Sequence, residues 1–555
     1  MKNALKNNVI RAIDQARTKG LLQSMGDIPG LVIEAPRDPS HGDWATNAAM
    51  LMAKVEKKAP RKIAEIILAN LNDTDGYLER VEIAGPGFIN FTLSRKWWEQ
   101  TLRRIIKQNR DYGRGEHGQG RKVQVEFVSA NPTGPLHVGH GRGAAIGDAL
   151  ARLLDAAGFN VQKEYYINNA GKQMQTLGRS VWYRHLELNG KTVDYAPEFY
   201  QGEYIKDLAV KLQEQQGEKY LDMDENQAVD QIYPWAADEI LDGIKNDLNM
   251  FGVTYEEWFS EKSLYQNGLL SATLDDLRRR GHIYDRDGAV WFATSRLGDD
   301  KDRVLVKSTG EHTYFATDIA YHQNKYKRGF SLVINLWGAD HHGYVPRMKS
   351  AVEAMGYGRD QLEVLLVQLV NLLRGGVPVA MSTRAGQFVT LKEVVDEVGV
   401  DAARFMFLTR NSDNSLDFDL DVAKRQSADN PVYYVQYAHA RICSVFRAAL
   451  AEGLEMMDPE KIDLSRLKEE EELTIMKLLA AYPELVQGAA ISLEPHRLTH
   501  YLIELAKNFH PYYNRFRFIS DDRDLSLARL VLAGAVRQVV SNGLGLIGVS
   551  APEKM

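Results

Sequence analysis

Cysteine and long apolar runs are nearly absent from this sequence. One cysteine, Cys443, stands among 555 residues, which excludes a disulfide within the chain and a cysteine-rich zinc site. No apolar run approaches the ~18 residues that a membrane-spanning helix needs, and the N-terminal stretch has no apolar core of the signal-peptide type. We therefore expect no membrane partner and a cytoplasmic location.

An excess of positive charge is missing as well. The formal net charge is −6, with 26% charged and 44% hydrophobic residues, an ordinary balance for a globular protein. A basic chain would have indicated a nucleic-acid partner, but binding needs only a local patch, so its absence excludes nothing. The length predicts several domains of about 150 residues each.

Residues 1–115 predict a small α/β domain. The segment "VIRAIDQARTKGLLQSM" has helical periodicity and "LVIEAP" has the pattern of a short strand. After the loop "HGDWATN" the pattern predicts two helices separated by a proline. Alternating residues on both sides of a Gly-Pro-Gly turn predict a β-hairpin in "LERVEIAGPGFINFTLS". A polar stretch ending near residue 121 predicts a linker.

Residues 119–428 predict a Rossmann-like domain with a parallel sheet. The strand pattern "KVQVEFVSA" is followed by a turn, a helical pattern over residues 141–157 and the strand pattern "FNVQKEYYI", a βαβ unit. The charged segment of about residues 190–262 predicts a helical insertion. Residues 429–555 have helical periodicity throughout, so we expect an α/β fold class with an all-α C-terminal domain. The run "KEEEEL" predicts a solvated helix start.

The stretch "ANPTGPLHVGH" (residues 130–140) lies at the carboxyl end of the first of these strands, where open parallel sheets bind ligands. The free N–H groups of the following helix favour an anion there. His137 and His140 can donate to phosphate oxygens, and Gly139 leaves room for a flat base. A dinucleotide site would need a third glycine where Ile146 stands, and no H-E-x-x-H zinc pattern occurs. By itself the motif is equally compatible with a structural turn.

This motif resembles the H-I-G-H signature of class I aminoacyl-tRNA synthetases. Their second signature, K-M-S-K-S, resembles "VAMSTRAGQFVTL" (residues 379–391). Aligned on Met381 and Ser382, the usual lysines are replaced by Ala380 and Thr383. Arg384 is the candidate for the missing positive charge. The resemblance implies that His137, His140, Ser382 and Arg384 are catalytic, and that Gly139 and Met381 join the two histidines in binding ATP.

Further motifs resemble the arginyl-tRNA synthetases along nearly the whole chain. They are "PSHGDWATNAAM", "VEFVSANPTGPLHVGH", "YYINNAGKQ", "TYFATDIAYH", "WGADHHGYVPRMK", "SLDFDLDVAKRQSADNPVYYVQYAHARI", "LIELAKNFHPYYNRFRF" and the terminal "GLIGVSAPEKM". The resemblance implies ATP-dependent activation of L-arginine to arginyl-adenylate, transfer to the 3′ end of arginine tRNA, and activation only with tRNA bound. It implies Mg²⁺ accompanying ATP with no dedicated protein metal site, and we expect a monomer.

An arginine site needs carboxylates, because a guanidinium is planar, permanently charged and rich in donors. By resemblance the arginine-contacting residues are Glu126, Asn131, Tyr314 and Asp318, with Tyr314 and Asp318 assigned to the guanidinium. Taken alone, Glu126 is also compatible with a solvent-facing strand residue, and Tyr314 and Asp318 with a surface pair on a helix. Asp340 and His341, which follow the strand pattern "LVINLW", and Gln173 are further candidates. The family usually has Asn-Asp where this chain has Asn168 and Asn169.

The segment "KNFHPYYNRFRF" interleaves cations with aromatic rings, which suits phosphate contacts and stacking on splayed bases. The candidate tRNA-binding residues are Lys507, Tyr513, Arg515 and Arg517. The alternative is that the aromatic residues belong to a helix core. The "HGDWATN" loop is a candidate contact for the tRNA elbow, with a helix N-cap at Asp43 as the alternative.

Two other functions stay open at this point. One is a different H-I-G-H nucleotidyltransferase, such as a cytidylyltransferase, which would not need the helical C-terminal third. The other is a non-catalytic tRNA-binding relative, which the altered second signature allows. The two histidines and four arginine-site candidates argue against it.

Overall fold

The chain folds into two units, each built from three separate stretches of sequence. One unit comprises residues Met1–Arg110, Val445–Ala481 and Asn508–Gln538, and the other Asp111–Ser444, Tyr482–Lys507 and Val539–Met555. The structure is a computed structural model, and it describes residues 2–24, 28–36, 38–73, 76–169, 171–379, 388–454 and 458–555. The bounds of the three domains expected from the sequence, residues 1–115, 119–428 and 429–555, stay predictions.

The first unit opens with an antiparallel sheet covered by helices. Its N-terminal elements are α1 (Lys2–Thr18), β1 (Ile33–Glu34), β2 (Trp44–Thr46), α2 (Ala48–Glu56), α3 (Pro60–Ala69), β3 (Leu78–Ala84), β4 (Phe88–Leu93) and α4 (Arg95–Gln108). The sheet order is β1-β2-β4-β3. Pro60 stands in the first turn of α3, where its missing N–H has no cost. The proline-separated helices and the hairpin of β3 and β4 are confirmed.

Four long helices supply the C-terminal part of the chain and contribute residues to both units. They are α16 (Pro431–Ala451), α17 (Glu470–Ile491), α18 (His496–Arg515) and α19 (Arg523–Leu546), numbered after the elements given below. The "KEEEEL" run does begin α17, but the prediction of full solvation is wrong for Glu472. Its carboxylate is buried and accepts hydrogen bonds from Tyr512 (2.9 Å) and Arg529 (3.1 Å).

A five-stranded parallel sheet forms the centre of the second unit. Its strands are β5 (Lys122–Glu126), β6 (Asn160–Ile167), β7 (Glu257–Ser260), β11 (Leu332–Gly338) and β12 (Leu362–Val367), in the order β12-β11-β5-β6-β7. Both faces of β5 are buried from Val123 onward, including Gln124 and Glu126, as expected when helices cover both sides of a parallel sheet. The solvent-facing interpretation of Glu126 is therefore wrong.

Helices connect and extend this sheet. They are α5 (Val138–Ala156), α6 (Lys172–Leu188), α7 (Glu203–Gln216), α8 (Glu225–Met250), α9 (Lys262–Gln266), α10 (Leu269–Arg279), α11 (Tyr314–Lys327), α12 (Val345–Ala354), α13 (Leu391–Val398), α14 (Val400–Phe407) and α15 (Leu420–Lys424). The charged segment of residues 190–262 contains α7 and α8, and its end forms the edge strand β7 of the central sheet.

Two three-stranded sheets complete the second unit. One contains β8 (Ile283–Arg286), β9 (Ala289–Phe292) and β10 (Arg303–Val306), and the other β13 (Val370–Arg374), β14 (Val377–Pro378) and β15 (Leu416–Asp419). The predicted α/β class with a parallel central sheet and a helical C-terminal region is confirmed. Among the helices that the structure describes, none has both the length and the apolar character needed to cross a membrane.

Candidate functional site

The backbone is strained where β5 ends. Val128 and Ser129 both have positive φ, 66° and 41°, a conformation that is costly for a side chain with a Cβ and most of all for a β-branched one. The Ser129 hydroxyl donates to Glu126 (3.0 Å) and accepts the Tyr166 N–H (3.1 Å). The strain is therefore held by hydrogen bonds that also orient the Glu126 carboxylate.

The two histidines of the first signature cap the N-terminus of α5 reciprocally. His137 Nδ1 accepts the backbone N–H groups of Gly139 (3.1 Å) and His140 (3.4 Å), and His140 Nδ1 accepts the N–H of His137 (3.2 Å). The rings stack with centroids 3.7 Å apart. Because both Nδ1 atoms accept, the proton of each neutral ring lies on Nε2. The arrangement leaves each histidine one Nε2–H donor for a ligand.

Burial keeps both rings neutral at physiological pH. It lowers the pKa of His137, and it lowers the pKa of His140 to about 3 with further repulsion from His137. A Cβ at Gly139 would lie 3.0 Å from the His137 ring. A larger residue there would displace the stacked pair, so Gly139 is needed for the geometry of the cap.

The flank of the second signature lies against the first. Leu391 N donates to Leu136 O (2.8 Å), and Val138 N donates to Val389 O (3.1 Å). The Phe388 ring meets His137 edge-on with centroids 6.1 Å apart. Met381, Ser382 and Arg384 lie outside the described residues, so their predicted roles stay predictions. The upstream Arg374 is paired with Glu397 (2.6 Å).

A cavity of about 1300 Å³ opens at this edge of the sheet, large enough for a nucleotide-sized ligand. The structure places most of the predicted arginine and ATP residues in its lining, namely Glu126, Asn131, His137, Gly139, His140, Asp318, Asp340 and His341. They come from the ends of β5 and β11, the start of α5 and the first turns of α11. Residues more than 200 positions apart therefore share one site.

Two predicted arginine residues are not in the cavity lining. Gln173 lies next to Asn131, and its Oε1 accepts a hydrogen bond from Asn131 Nδ2 (2.6 Å). Tyr314 begins α11 and is 66% exposed. It shares the helix with Asp318, which is half-buried and lines the cavity, so the surface-pair interpretation holds for Tyr314 and is wrong for Asp318.

Glu126 is paired with a buried lysine that the sequence did not single out. Lys325 is fully buried, and its ammonium contacts Glu126 Oε2, Asn335 Oδ1 (3.0 Å) and the Tyr321 ring (4.3 Å to the centroid). These three partners match the three donors of an ammonium group. The ion pair therefore holds the negative charge of Glu126 at the cavity wall, where the positive charge of Lys325 balances it.

The same lysine is linked to the backbone of Asp318. Asn335 Nδ2 lies 2.8 Å from His322 Nε2, and His322 Nδ1 lies 2.8 Å from the Asp318 carbonyl oxygen. The amide donates to Nε2, so the His322 proton is on Nδ1 and is donated to the carbonyl. Asp318, His322 and Lys325 follow at spacings of four and three on α11, which gives the helix a buried polar stripe. This spacing was the signal in the sequence that would have identified Lys325.

Among the residues that the structure describes, neither Asp318 nor Glu261 forms an ion pair, although the charge of Lys325 opposes the rise that burial causes in the pKa of Asp318. Burial raises the pKa of Asp318 to about 6, against the hydrogen bond from the Tyr344 hydroxyl (2.5 Å), which lowers it. Burial also raises the pKa of Glu261 to about 7, and the charge of Asp318 adds to the rise. Glu261 Oε2 is buried with no hydrogen-bond partner in the part of the chain that the structure describes. A buried carboxylate oxygen without a partner indicates that a bound ligand supplies a hydrogen-bond donor to it.

Asp340 and His341 lie at the solvent side of the cavity. Their side chains are 83% and 60% exposed and 3.7 Å apart. The cavity lining also includes the half-buried aromatic residues Trp337 and Tyr344, with ring centroids 5.8 Å apart. Sequence reasoning missed Glu261, Tyr344 and Trp337; Glu261 directly follows β7, a strand that lay inside the segment assigned as an insertion.

The candidate tRNA-binding residues are all at least partly accessible. Lys507 is exposed in the second unit. In the first unit Arg515 is exposed and paired with Glu471, Arg517 is exposed, and Tyr513 is half-buried with its ring centroid 5.7 Å from that of Phe518. Among the other aromatic residues, Phe509, Tyr512 and Phe518 are buried. The alternative that the aromatic residues belong to the helix core is therefore correct for these three.

The "HGDWATN" loop is held within the first unit. Asp43 accepts the Leu93 N–H (2.8 Å) and pairs with Lys477 (2.6 Å). The residue before α2 is Asn47, which makes no side-chain cap. The N-cap interpretation of Asp43 is therefore wrong, and the tRNA-elbow contact stays a prediction.

Three family descriptions together match nearly the whole chain. They are "Arginyl tRNA synthetase N terminal domain" over residues 3–93, "tRNA synthetases class I (R), catalytic domain" over residues 101–443 and "DALR anticodon binding domain" over residues 435–555.

Curated relatives and solved structures agree with these matches. Proteins described as arginine–tRNA ligase from Syntrophotalea carbinolica and Desulfosudis oleivorans are each 54% identical to this chain over the full length of both proteins. A crystal structure described as a putative arginyl-tRNA synthetase from Campylobacter jejuni is 37% identical, with a TM-score of 0.77 over 83% of this chain and all of that one. The Thermus thermophilus arginyl-tRNA synthetase shares the fold over all of both chains, with a TM-score of 0.76 at 23% identity.

Proposed function

The chain belongs to the arginyl-tRNA synthetase family, and from that premise we propose how its cavity carries out the reaction. The activity is that of an arginine–tRNA ligase, which uses ATP to join L-arginine to tRNA. In the first step a carboxylate oxygen of arginine attacks the α-phosphorus of ATP, and the bond to pyrophosphate breaks. In the second step a ribose hydroxyl at the tRNA 3′ end attacks the adenylate carbonyl, and AMP leaves.

The histidine cap supports binding of the phosphates. The two Nε2–H groups and the N-terminus of α5 offer neutral donors and a favourable dipole to oxygens that gain charge during the transfer. Gly139 leaves the space against which the adenine lies. By their place in the second signature, we assign Ser382, Arg384 and Met381 to binding the triphosphate of ATP, which is accompanied by Mg²⁺. The groups work by positioning and charge stabilisation, since no covalent enzyme intermediate is needed.

The distribution of charge supports the orientation of arginine. Lys325 already balances the charge of Glu126, and Ser129 donates a hydrogen bond to its carboxylate. Glu126 therefore offers a fixed, weakly accepting oxygen to the α-ammonium group of arginine. Asn131 and its partner Gln173 bind beside it. Asp318 and Glu261, which interact electrostatically, take the guanidinium, with Tyr344 aligning Asp318. Tyr314, at the exposed start of α11, covers the side chain, and Asp340 and His341 line the open side toward the nucleotide.

A single observation carries this proposal. The large cavity joins two neutral, donor-bearing imidazoles to the Asp318 carboxylate, whose charge acts on Glu261, and one oxygen of Glu261 is buried without a hydrogen-bond partner among the described residues. The donors suit phosphate and the acidic pair suits a cation with several N–H groups. Arginine and ATP together meet both requirements.

The partner surfaces are proposed on the same basis. Lys507, Tyr513, Arg515 and Arg517 contact the anticodon arm, and the "HGDWATN" loop contacts the tRNA elbow. The enzyme acts as a monomer in the cytoplasm, where charged tRNA is consumed.

The test is ATP–pyrophosphate exchange with Mg²⁺, with and without arginine tRNA. Lysine and citrulline serve as control amino acids, because lysine lacks the fork of donors and citrulline lacks the charge. We expect exchange with arginine and tRNA together, and background exchange with either control. Folded protein that binds tRNA and gives no exchange would contradict the proposal and favour the non-catalytic relative.

A further inference from the structure

Hydrogen bonds from the charged segment hold the turn that carries Asn131. The Asn131 carbonyl accepts the Thr133 N–H (2.7 Å), and the Thr133 carbonyl accepts the hydroxyl of Tyr204 on α7 (2.8 Å). On the opposite side Tyr165 of β6 donates to the Ala130 carbonyl (2.8 Å). The turn is therefore fixed between the central sheet and α7.

Two glycines make the slot for the Tyr204 ring. A Cβ at Gly134 would lie 3.1 Å from the ring's Cζ and hydroxyl, and a Cβ at Gly202 would lie 2.4 Å from Cε1. Real Cβ atoms do not approach as closely as 2.4 Å, so Gly202 is needed for the ring to keep its place, and a Cβ at Gly134 would push the ring by a few tenths of an ångström. The ring is buried deeply enough that its pKa is raised.

A second tyrosine braces the same turn. The Tyr200 hydroxyl hydrogen-bonds the Thr133 side chain, which opposes the rise in the Tyr200 pKa caused by burial. The Tyr200 backbone is fixed in turn, because its N–H donates to Ser180 on α6 (3.0 Å) and its carbonyl accepts the Tyr195 hydroxyl (2.6 Å). Thr133 thus contacts two tyrosines, Tyr200 from the segment between α6 and α7 and Tyr204 from the first turn of α7.

We propose that Tyr204 is a positioning residue for arginine, acting through the Thr133 carbonyl to set the place of Asn131. The inference rests on the proposed function of Asn131. It gives the charged segment a role in the chemistry: α7 holds an element of the amino-acid site. Asn131 is also tied to Gln173 of α6 (2.6 Å), so the side chain and the backbone of the turn are both held by the same pair of helices.

The test compares Tyr204→Phe with wild type in pyrophosphate exchange with tRNA present. The variant keeps the ring in its slot and removes only the hydroxyl, so it should fold. We expect the KM for arginine to rise about 3- to 10-fold, as for the loss of one neutral hydrogen bond. The kcat and the KM for ATP should stay within about twofold, because the histidine cap is untouched.

Tyr183→Phe is the matched control, since its hydroxyl donates to Glu225 (3.3 Å) on α8 rather than to the turn. It should leave all constants near wild type. Gly134→Ala, which presses a methyl group on the Tyr204 hydroxyl, should raise the KM for arginine in the same direction.

An unchanged KM for arginine in Tyr204→Phe, or equal changes for arginine and ATP, would overturn the proposal while leaving the proposed function intact. A wild-type chain without arginine-dependent exchange would instead overturn the proposed function and this inference together.

Discussion

Asp318 and Glu261 are carboxylates near the cavity whose raised pKa values, about 6 and about 7, fall in the range of working pH. Each is neutral below its pKa and charged above it. A cationic side chain needs the charged forms, so affinity for arginine rises with pH through this window. Of the histidines of the cap, His140 does not titrate there, since its pKa is about 3, and burial lowers the pKa of His137 as well.

We therefore expect kcat/KM for arginine to fall as the pH drops from about 8 to about 5.5, with kcat/KM for ATP much flatter. In Glu261→Gln the plateau should be lower, and the midpoint of the fall should move toward the pKa of Asp318, about 6. The pH dependence of kcat/KM reports the free enzyme and is the measurement needed. A profile for Glu261→Gln that runs parallel to wild type would contradict the role of Glu261.

Local motifs in the sequence identified some residues of the site, and they missed others whose role depends on partners that are distant in the sequence. His137, His140 and Asp318 stand in short stretches whose residue types already suit the chemistry. Lys325 acts on Glu126 across 199 positions, and Glu261 becomes functional only because β7 joins the sheet beside β6. Such pairings follow from tertiary structure, which local periodicity does not contain.

At the scale of elements, α5 is the helix on which the phosphate site depends. Asp148 in its middle is fully buried and ion-paired with Arg404 of α14 (2.6 Å). Arg404 also donates to the carbonyls of Phe251 (2.9 Å), after α8, and of Ile547 (3.0 Å), after α19. One guanidinium thus ties α5 to three other segments of the second unit.

Arg404→Met should destabilise the protein by about 3 kcal/mol, because it removes the one fully buried cation paired with Asp148 in the described part of the chain and leaves two carbonyls without this donor. Thermal melting measures the change. Arg152→Met is the control: Arg152 pairs with the same Asp148 (2.8 Å) but is 41% exposed, so its loss should cost less than about 1 kcal/mol. Equal melting temperatures for the two variants would contradict the assigned role of Arg404.

The elements differed in how well the sequence predicted them. Hairpins, proline-separated helices and the βαβ unit have strong periodic patterns and punctuation, and they were predicted from these. The edge strand β7 has four residues inside a charged segment, and its pattern is too short to separate from its neighbours. The strained turn at Val128 and Ser129 has no sequence signal, because positive φ usually selects glycine.

For the molecule as a whole, we propose that the large cavity of the second unit binds arginine and ATP and that α18 and the first unit contact tRNA. We propose that the cavity recognises arginine by its charge, through Asp318 and Glu261, while Lys325 already balances Glu126. Size and apolar contacts alone would not separate arginine from an uncharged analogue of the same shape.

The most direct test is the ratio of kcat/KM for arginine to that for citrulline in tRNA aminoacylation, for wild type and Asp318→Asn. Asparagine keeps an oxygen for the Tyr344 hydroxyl and removes only the charge. We expect kcat/KM for arginine to fall about 100- to 1000-fold, as for the loss of a buried charged partner, with citrulline unchanged or improved. A ratio in Asp318→Asn equal to that of wild type would contradict the account.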